Sequence, residues 1–340
     1  MIWPERHPPI PPAKIGVLLV NLGTPSAPDA ASVRRYLGEF LSDRRVVEIP
    51  PLIWQPILRG VILRTRPKKS AHAYRQVWRE DGSPLAAITR AQATVLEDAF
   101  GPEVIVDHAM RYGQPAIAER IEVLKARGCQ RILIAPLYPQ YCAATTATAN
   151  DAAFAALAKM RWQPAIRTLP PYHDHPAYIA ALKASVEASL AALDFAPDAI
   201  LASFHGMPER TLTLGDPYHC HCQKTARLLG EALKDTLGDR ELITTFQSRF
   251  GRAKWLEPAT DATLAALPAR GIKKIAIVAP GFSADCLETL EELAIRGRES
   301  FHAAGGTDFA YLPCLNDSEG GIAMLRTILR EELAGWTQPA

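Results

Sequence analysis

Long apolar runs and an excess of one charge are both missing from this sequence. The longest early apolar run, residues 15–20, is too short to cross a bilayer, and residues 21–25 offer no small-residue cleavage site of the kind that follows a secretory signal. The 38 Lys and Arg residues nearly balance the 36 Asp and Glu residues. We therefore expect a cytoplasmic protein with no nucleic-acid partner, because nothing creates the strong positive field that such a partner requires.

Cysteine is scarce, and two phosphate-binding glycine motifs are absent. The six cysteines are scattered, unlike the dense framework of a disulfide-rich secreted protein. Cys220 and Cys222 lie closer together in sequence than the usual pair of zinc ligands, and no second pair accompanies them. Neither G-x-G-x-x-G after the first apolar run nor G-x-x-x-x-G-K-[ST] occurs, so a nucleotide-dependent enzyme has little support.

What the sequence does contain is a regular alternation of strand and helix patterns. Such alternation predicts an α/β fold of two doubly wound domains, each with a central parallel sheet flanked by helices, and a cleft between them. The pattern divides near Pro170 and Pro171, which gives domains 1–172 and 173–340, and the last helix is a candidate to pack back on the first domain. The predicted strands are 14–21, 103–108, 130–136, 199–204, 241–247, 273–278 and 309–312.

An insert at about residues 43–83 interrupts this rhythm in the first domain. Apolar residues spaced along 52–63 precede a basic stretch, 64–69. One interpretation is an amphipathic helix packed on its own domain. The other is a lip of the cleft that accepts a flat apolar ligand and, through residues 51–69, makes a peripheral contact with the inner face of the membrane.

The segment 203–208, Ser-Phe-His-Gly-Met-Pro, places a histidine at the end of a predicted buried strand, where Gly206 and Pro208 turn the backbone. Ligands of open α/β sheets bind at the carboxyl ends of the strands. An imidazole, with an ordinary pKa of about 6.5, can accept a proton or ligate a metal there. His205 is therefore a candidate catalytic residue, and the alternative is a structural, hydrogen-bonded histidine.

Three acids, Asp285, Glu288 and Glu292, follow the strand predicted at 273–278. A helix that begins around Ser283 would place them at i, i+3 and i+7, on one face. The functional interpretation is an acidic row beside a ligand. The alternative is a set of solvated acids near a helix N-terminus, where the helix dipole stabilises negative charge.

Segment 203–208, followed by 215–218, Gly-Asp-Pro-Tyr, resembles the core motif of ferrochelatases, the enzymes that insert ferrous iron into a porphyrin. The resemblance runs from about Lys14 to about Leu325. It implies a two-domain architecture with a central cleft. It also implies that Fe²⁺ and protoporphyrin IX are the substrates and that protohaem and two protons are the products.

The resemblance implies roles for the polar residues. His205 matches the key active-site histidine and becomes the acceptor of the pyrrole protons, while Glu288 becomes the carboxylate that faces it across the cleft. Asp285 and Glu292 belong to a row that leads away from Glu288 and passes either iron inward or protons outward. Cys286 stands where many relatives have histidine. The implied metal-contacting residues are His205, Glu288, Asp285 and Glu292.

A pocket wall is implied as well. Leu22 stands where relatives place a methionine or tyrosine, and since leucine cannot ligate a metal, it is expected only to pack against the ring. Ser203 lies two residues before the histidine, on the same strand face. For the propionates we expect Arg64, Arg66 and Ser83, because guanidinium binds carboxylate bidentately. The other implied pocket residues are Arg111, Tyr112, Tyr138, Tyr141 and Trp255.

Two rival functions stay open at this point. A haem- or porphyrin-binding protein without catalysis would not require both His205 and Glu288. A chelatase for another tetrapyrrole, such as coproporphyrin or sirohydrochlorin, would share the fold, and fold alone does not choose between them.

A cluster cofactor is a further alternative. Some ferrochelatases carry a [2Fe–2S] cluster, and the animal enzymes draw most of its ligands from a C-terminal extension. Such a cluster takes four ligands, and this chain has no cysteine after Cys314. We therefore expect ordinary thiols, with a cluster as the alternative.

Overall fold

The computed structural model describes residues 13–251 and 253–337. Its first half contains a parallel four-stranded sheet in the order β2-β1-β3-β4. The continuous apolar run of β1 occupies a central position, where both faces of the strand are buried. The strands are β1 (Lys14–Gly23), β2 (Val104–Tyr112), β3 (Cys129–Pro136) and β4 (Ala165–Thr168).

The second half repeats this arrangement. Its four strands are also parallel, in the order β6-β5-β7-β8, so the first strand of each half again lies beside the second and third. The predicted fold class is therefore confirmed. Strand β4 was not predicted, because its four residues are exposed or half-buried at the sheet edge and give no apolar run. The strands are β5 (Ala199–His205), β6 (Glu241–Gln247), β7 (Lys274–Val278) and β8 (Asp308–Tyr311).

Helices flank both sheets. Within the described ranges, none combines the length and apolarity that a membrane span needs. Three π-helical segments, Leu58–Ile62, Ala143–Ala147 and Glu288–Gly297, and a 3₁₀ turn, Leu267–Arg270, interrupt or extend the α-helices. The α-helices are α1 (Ala30–Phe40), α2 (Pro51–Ile57), α3 (Leu63–Val77), α4 (Pro84–Phe100), α5 (Ile117–Ala126), α6 (Thr148–Leu157), α7 (Pro176–Ala191), α8 (Glu209–Thr213), α9 (Tyr218–Ala232), α10 (Lys234–Leu237), α11 (Thr260–Ala266), α12 (Arg298–Ala303) and α13 (Glu319–Glu332).

The insert forms α2, a π-helical segment and α3 in direct succession. Pro56 lies near the end of α2 and removes a backbone donor, which fits the change of helical register that follows. Helix α3 packs on α1 through Ala71 and Tyr74. The opposite side remains exposed, including 93% of Leu52 and 59% of Ile53. One face of the insert thus packs on its own half while the other faces solvent.

A single apolar cluster joins the two halves. It includes Leu19 and Leu133 from the first sheet, Phe204 from the second, and side chains of α7 and α13. The last helix, α13, packs against α7 and also against α4 of the first half. The Arg167 guanidinium, at the end of β4, donates to the Glu332 carbonyl oxygen at 2.6 Å. The sheets are therefore held by common packing, with their carboxyl edges left for other contacts.

Candidate active site

His205 is the last residue of β5 and lies beyond the part of this strand that pairs with β7. Strand β5 pairs with β6 as far as His205 and Gln247, whereas its pairing with β7 ends at Ala202 and Val278. The half-buried imidazole therefore lies at the carboxyl edge of the sheet. Its Nδ1 is 2.7 Å from the Gly206 carbonyl oxygen. Because a carbonyl can only accept, Nδ1 carries the hydrogen in the neutral ring, and the Nε2 lone pair remains to accept a proton.

The residue after His205 has no room for a side chain. The Gly206 N–H donates to the Gln247 carbonyl oxygen at 2.7 Å. A Cβ on Gly206 would lie 2.5 Å from that oxygen and 3.4 Å from the Trp255 ring. The indole N–H of Trp255 donates to the Phe250 carbonyl at 3.0 Å. The Trp255 ring thus packs on the backbone directly after the histidine.

Glu288 begins a π-helical segment, Glu288–Gly297, which we call the acidic π-helix. The prediction of a helix from around Ser283 is wrong, and Asp285 consequently does not share a helical face with the two glutamates. The backbone before the helix is hydrogen-bonded to a side chain instead, because the Asp285 N–H donates to Asn316 Oδ1 at 2.8 Å. The helix begins after this segment, at Glu288.

The Asp285 carboxylate accepts hydrogen bonds from three side chains. The donors are the Tyr311 hydroxyl at 2.5 Å, the Asn316 amide at 2.7 Å and the Thr289 hydroxyl at 3.0 Å. Only 6% of the residue is exposed. Although Asp285 was expected to contact metal, these contacts favour a structural role in the loop that leads to Glu288.

Glu288, Glu292 and Arg296 recur every four residues along the acidic π-helix. In the wide turn of a π-helix, such residues lie on one side. The Ser248 hydroxyl donates to Glu292 at 2.6 Å, and the exposed Arg296 guanidinium lies 3.8 Å from the same carboxylate. Burial raises the pKa of Glu292, and the Ser248 hydroxyl, His205 and Arg296 oppose the rise. Glu292 therefore lies within electrostatic reach of the imidazole.

Residues of the first half face Glu288. Helix α3 contacts the acidic π-helix. Burial raises the pKa of Tyr36 and of Tyr74, and the nearby Glu288 charge raises both further. Leu22 and Leu287 pack on the apolar cluster formed by α1 and α3. The glutamate that opens the acidic π-helix thus lies near Tyr36 and Tyr74, and the residue before it packs on the same cluster as Leu22.

Arg111 and Tyr112 form a polar cluster at the end of β2. The Arg111 guanidinium donates to the Asp43 carboxylate at 2.5 Å and to the Thr148 hydroxyl at 2.7 Å, and it stacks 4.3 Å from the Tyr112 ring centroid. The Tyr112 hydroxyl donates to the same carboxylate at 2.9 Å. Burial alone would raise the pKa of Asp43, but hydrogen bonds from Thr148, the Arg45 backbone and Tyr112 outweigh it and lower the pKa. The charge of Arg111 is thus neutralised within the first half.

The two tyrosines predicted after β3 differ in their contacts. The Tyr138 hydroxyl is buried and has no hydrogen-bond partner among the described residues. Burial raises its pKa, and the neighbouring Tyr112 adds to the effect. The backbone N–H of Tyr141 donates to His221 Nδ1 at 3.2 Å, which ties this loop to α9.

A family model described as ferrochelatase matches residues 14–333. The chain belongs to the ferrochelatase family. A ferrochelatase of Rhizobium meliloti (strain 1021) is 58% identical over 97% of this chain and 98% of its own length. A ferrochelatase of Agrobacterium fabrum is 54% identical over 98% of this chain and 97% of its own. The chain is therefore an enzyme, a lyase of the ferrochelatase type.

Solved structures of the same fold agree with the two-sheet architecture of a ferrochelatase. SirB from Bacillus subtilis with Fe³⁺ superposes with a TM-score of 0.56 at 13% identity, covering 95% of this chain and 97% of SirB. The cobalt complex of the sirohydrochlorin chelatase SirB from Bacillus subtilis subspecies spizizenii gives a TM-score of 0.54 at 12% identity, covering 95% of this chain and 98% of SirB. At these identities the likeness shows the fold alone.

The three residues predicted to bind the propionates of a ferrochelatase substrate lie in different settings. The Arg66 guanidinium lies 5.4 Å from the centroid of the Phe250 ring and so joins α3 to the second half. Arg64 is exposed on the same helix. Ser83 is only 3% exposed, and its hydroxyl accepts the Ala86 N–H at 3.4 Å as the cap of α4. The two arginines are available to a ligand, whereas the serine serves the helix.

Ser203 is completely buried and points into a chain of polar groups. Its hydroxyl donates to Gln247 Oε1 at 2.9 Å, and the Gln247 amide donates to the Glu288 carbonyl oxygen at 2.9 Å. Gln247 and Ser248 were not predicted as site residues, although Gln247 ends a predicted strand and Ser248 follows it, the same signal that pointed to His205. Tyr36, Asp43, Tyr74 and Thr148 were not predicted either, and they carry no such signal.

Metal-binding side chains do not form a ready-made site. Within residues 13–251 and 253–337, no three His, Cys, Asp or Glu side chains come together to hold a metal ion. His205, Glu288 and Glu292 are therefore not arranged as a preassembled chelate. The cysteines are free thiols, five of them buried and Cys220 exposed. Burial raises the pKa of Cys286, and the adjacent Glu288 charge adds to this.

Proposed function

We propose that this chain inserts Fe²⁺ into protoporphyrin IX to form protohaem, with release of two protons. The observation that carries the proposal is the placement of His205 at the end of β5 and of Glu288 at the start of the acidic π-helix, linked through Gln247. Family membership supplies the reaction class. This placement supplies a proton acceptor and a carboxylate beside the apolar wall of the first half.

His205 is the proposed acceptor of the pyrrole protons. Two N–H bonds of the ring break as iron–nitrogen bonds form, and each proton needs an acceptor of suitable pKa. The hydrogen bond from Nδ1 to the Gly206 carbonyl leaves Nε2 for this purpose. Glu288 and then Glu292 are the proposed next acceptors, and the raised pKa of Glu292 favours its transient protonation.

Arg296 favours protons over iron as the charge that travels along this row. Its guanidinium stands at the solvent end, 3.8 Å from Glu292 and 3.0 Å from Glu291. At about 4 Å, a divalent ion and a guanidinium repel by about 2 kcal/mol in water and about 8 kcal/mol near a protein surface. Iron arriving by this route would meet that barrier, whereas a proton passing through Glu292 carries one charge and would meet about half of it.

Replacing Arg296 tests this direction. If the row exports protons, Arg296→Gln should leave the KM for Fe²⁺ within about twofold of wild type. If the row imports iron, removing the cation should lower that KM by about fivefold or more. Arg298→Gln, an exposed charge on the next helix, is the matched control.

The ring is proposed to lie between the two halves. Leu22 and Trp255 would contact its faces, and Tyr112 and Tyr138 would line the wall behind it. Aromatic and aliphatic side chains of this kind suit stacking with a flat macrocycle. Arg64 and Arg66 would bind the propionates, with Arg66 leaving the Phe250 ring to do so.

The insert is the proposed membrane contact. Besides Leu52 and Ile53, it exposes 42% of Ile57 and 54% of Val61 next to the basic stretch 64–69. Apolar side chains beside basic ones bind anionic bilayer surfaces. Sedimentation with phosphatidylglycerol vesicles at low salt should carry the chain into the pellet, and Leu52→Glu with Ile53→Glu should abolish this. Wild-type chain that stays in the supernatant contradicts the membrane contact.

Anaerobic incubation with Fe²⁺ and protoporphyrin IX tests the function itself. Metal insertion quenches the fluorescence of the free porphyrin and produces the absorption spectrum of haem. Coproporphyrin and sirohydrochlorin, supplied in parallel, test the neighbouring substrates. Ring binding without metal insertion would contradict catalysis, and preferential turnover of either other ring would contradict protoporphyrin.

A further inference from the structure

Gln247 contacts both parts of the proposed reaction centre. Its carbonyl oxygen accepts the N–H of Gly206, directly after His205, at 2.7 Å. Its side-chain amide donates to the carbonyl oxygen of Glu288 at 2.9 Å. The residue is 3% exposed, so water does not compete effectively for either bond. One residue therefore links the histidine strand to the first residue of the acidic π-helix.

The Gln247 amide has one favourable orientation. Its Oε1 accepts the Ser203 hydroxyl at 2.9 Å, which also lies 2.9 Å from the Thr260 hydroxyl. Thr260 in turn hydrogen-bonds the Thr245 hydroxyl at 2.9 Å. Turning the amide over would place Oε1 against the Glu288 carbonyl oxygen, and neither acceptor would have a hydrogen to share. The buried hydroxyls thus hold the amide with its donor towards the helix.

The bond to Glu288 occupies a carbonyl in the first turn of the acidic π-helix. A side chain that inserts at such a position is a known cause of a displaced helical ladder. The next residue, Ser248, has a φ of 66° and donates to Glu292 at 2.6 Å. A non-glycine residue in this backbone region is uncommon and is found where the surrounding structure enforces it. Gln247 and Ser248 therefore contact successive turns of the acidic π-helix.

We propose that Gln247 is a positioning residue that fixes the separation of His205 and Glu288. The inference rests on the proposed function, because that separation matters only if both groups act on one ring. A displacement of about 1 Å at reacting groups can lower turnover by about 10²-fold. Loss of the amide should therefore lower kcat while the walls that bind the ring, and hence KM, stay in place.

Gln247→Met tests the proposal, with Gln140→Met as the matched control. Methionine keeps the length of the side chain and removes both amide bonds. Gln140 is 2% exposed, and its amide makes a similar buried bond, to the Thr225 hydroxyl at 3.0 Å. We expect faster hydrogen exchange in residues 288–297 of Gln247→Met and unchanged exchange there in the control. We also expect kcat to fall by about 10- to 100-fold in Gln247→Met, with KM for protoporphyrin within about twofold.

Unchanged exchange in residues 288–297 overturns the proposal, whatever the activity. Undiminished kcat overturns it too, as does a loss of kcat that Gln140→Met reproduces at the same loss of thermal stability. If Gln247→Met does not fold, Ser203→Ala removes only the bond that orients the amide, and the same readouts apply with kcat about three- to tenfold lower. A wild-type chain that inserts no iron contradicts the proposed function alone, because hydrogen exchange still decides whether Gln247 holds the helix.

Discussion

The two halves of the molecule have the same strand order, but the carboxyl edges of their sheets differ. At the end of β2, Arg111 is paired with Asp43 and further held by Thr148. At the end of β5, His205 presents Nε2, and the acids near it lie on a separate helix. Arg111, Asp43 and Thr148 of the first half satisfy one another, whereas His205 and Glu292 of the second half remain able to take up a proton.

This difference shows how one repeated sheet can serve two purposes. In the first half, ion pairing removes charge from the edge, and the aromatic and apolar residues of α1 and α3 form a wall. In the second half, burial raises the pKa of Glu292 and only partial compensation follows from Ser248 and Arg296. The first half is thus expected to act on stability and on ring binding, and the second on proton transfer.

Removing the imidazole should have the largest effect. We expect His205→Ala to lower kcat for iron insertion by about 10²- to 10⁴-fold, the usual range for a lost general base, while porphyrin binding measured by fluorescence persists. His302→Ala is the matched control, because its Nδ1 also lies close to a backbone carbonyl, that of Gly306 at 3.0 Å. Turnover near wild type in His205→Ala would contradict the assignment of the proton step to the second half.

Neutralising the Glu288 carboxylate should have the second largest effect. Glu288→Gln keeps the size of the side chain and removes its charge, so we expect kcat to fall by about 10²-fold in the same assay. Glu291→Gln on the same helix breaks an ion pair with Arg296 and should change kcat by less than about threefold. Equal losses in the two variants would mean that the helix needs its charges in general and not Glu288 in particular.

Breaking the Asp43–Arg111 pair of the first half should lower stability and leave turnover nearly unchanged. Asp43→Asn leaves the Arg111 guanidinium without its carboxylate, and we expect the free energy of unfolding in urea to fall by about 1–3 kcal/mol, with kcat within about threefold. Asp151→Asn breaks the more exposed pair with Arg45 on the same edge and should cost less than about 1 kcal/mol. A large loss of kcat in Asp43→Asn would show that the paired cluster takes part in turnover after all.

The junction between the halves should show a smaller, pH-dependent effect. Burial lowers the pKa of His173 to about 4, the stacked His221 and Lys224 contribute, and Asp174 opposes them. The unfolded chain therefore binds a proton more readily between about pH 6.5 and pH 4, so stability present above that window is lost as pH falls through it.

We expect His173 to account for about 1–2 kcal/mol of that loss after allowance for solvent screening. His173→Phe keeps a flat ring against His221 without a titrating group and should flatten the dependence of unfolding free energy on pH. His302→Phe, an exposed site, serves as the control. An unchanged slope in His173→Phe would assign the acid sensitivity elsewhere.

Local patterns in the sequence predicted most of the fold and part of the site. Apolar runs predicted seven of the eight strands, and the rule that ligands meet strand ends singled out His205. The spacing of the acids suggested a helix from around Ser283, whereas the helix begins at Glu288. The observed start depends on Tyr311 in β8 and Asn316 in the loop after it, which both contact Asp285. A spacing of four residues also fits α-helices, so the pattern gave no sign of the π-helix.

The common apolar cluster beneath both sheets has a consequence for how a flat ring reaches the interior. Swinging one half away from the other would expose packed side chains of α7 and α13 to water, at a cost that scales with the area opened. Two weaker links cross between the halves at the surface, Arg66 to Phe250 at 5.4 Å and Glu48 to Arg210 at 3.4 Å. Parting these costs far less, so we expect a flat ring to enter by movement of a few side chains and the insert, while the common cluster stays packed.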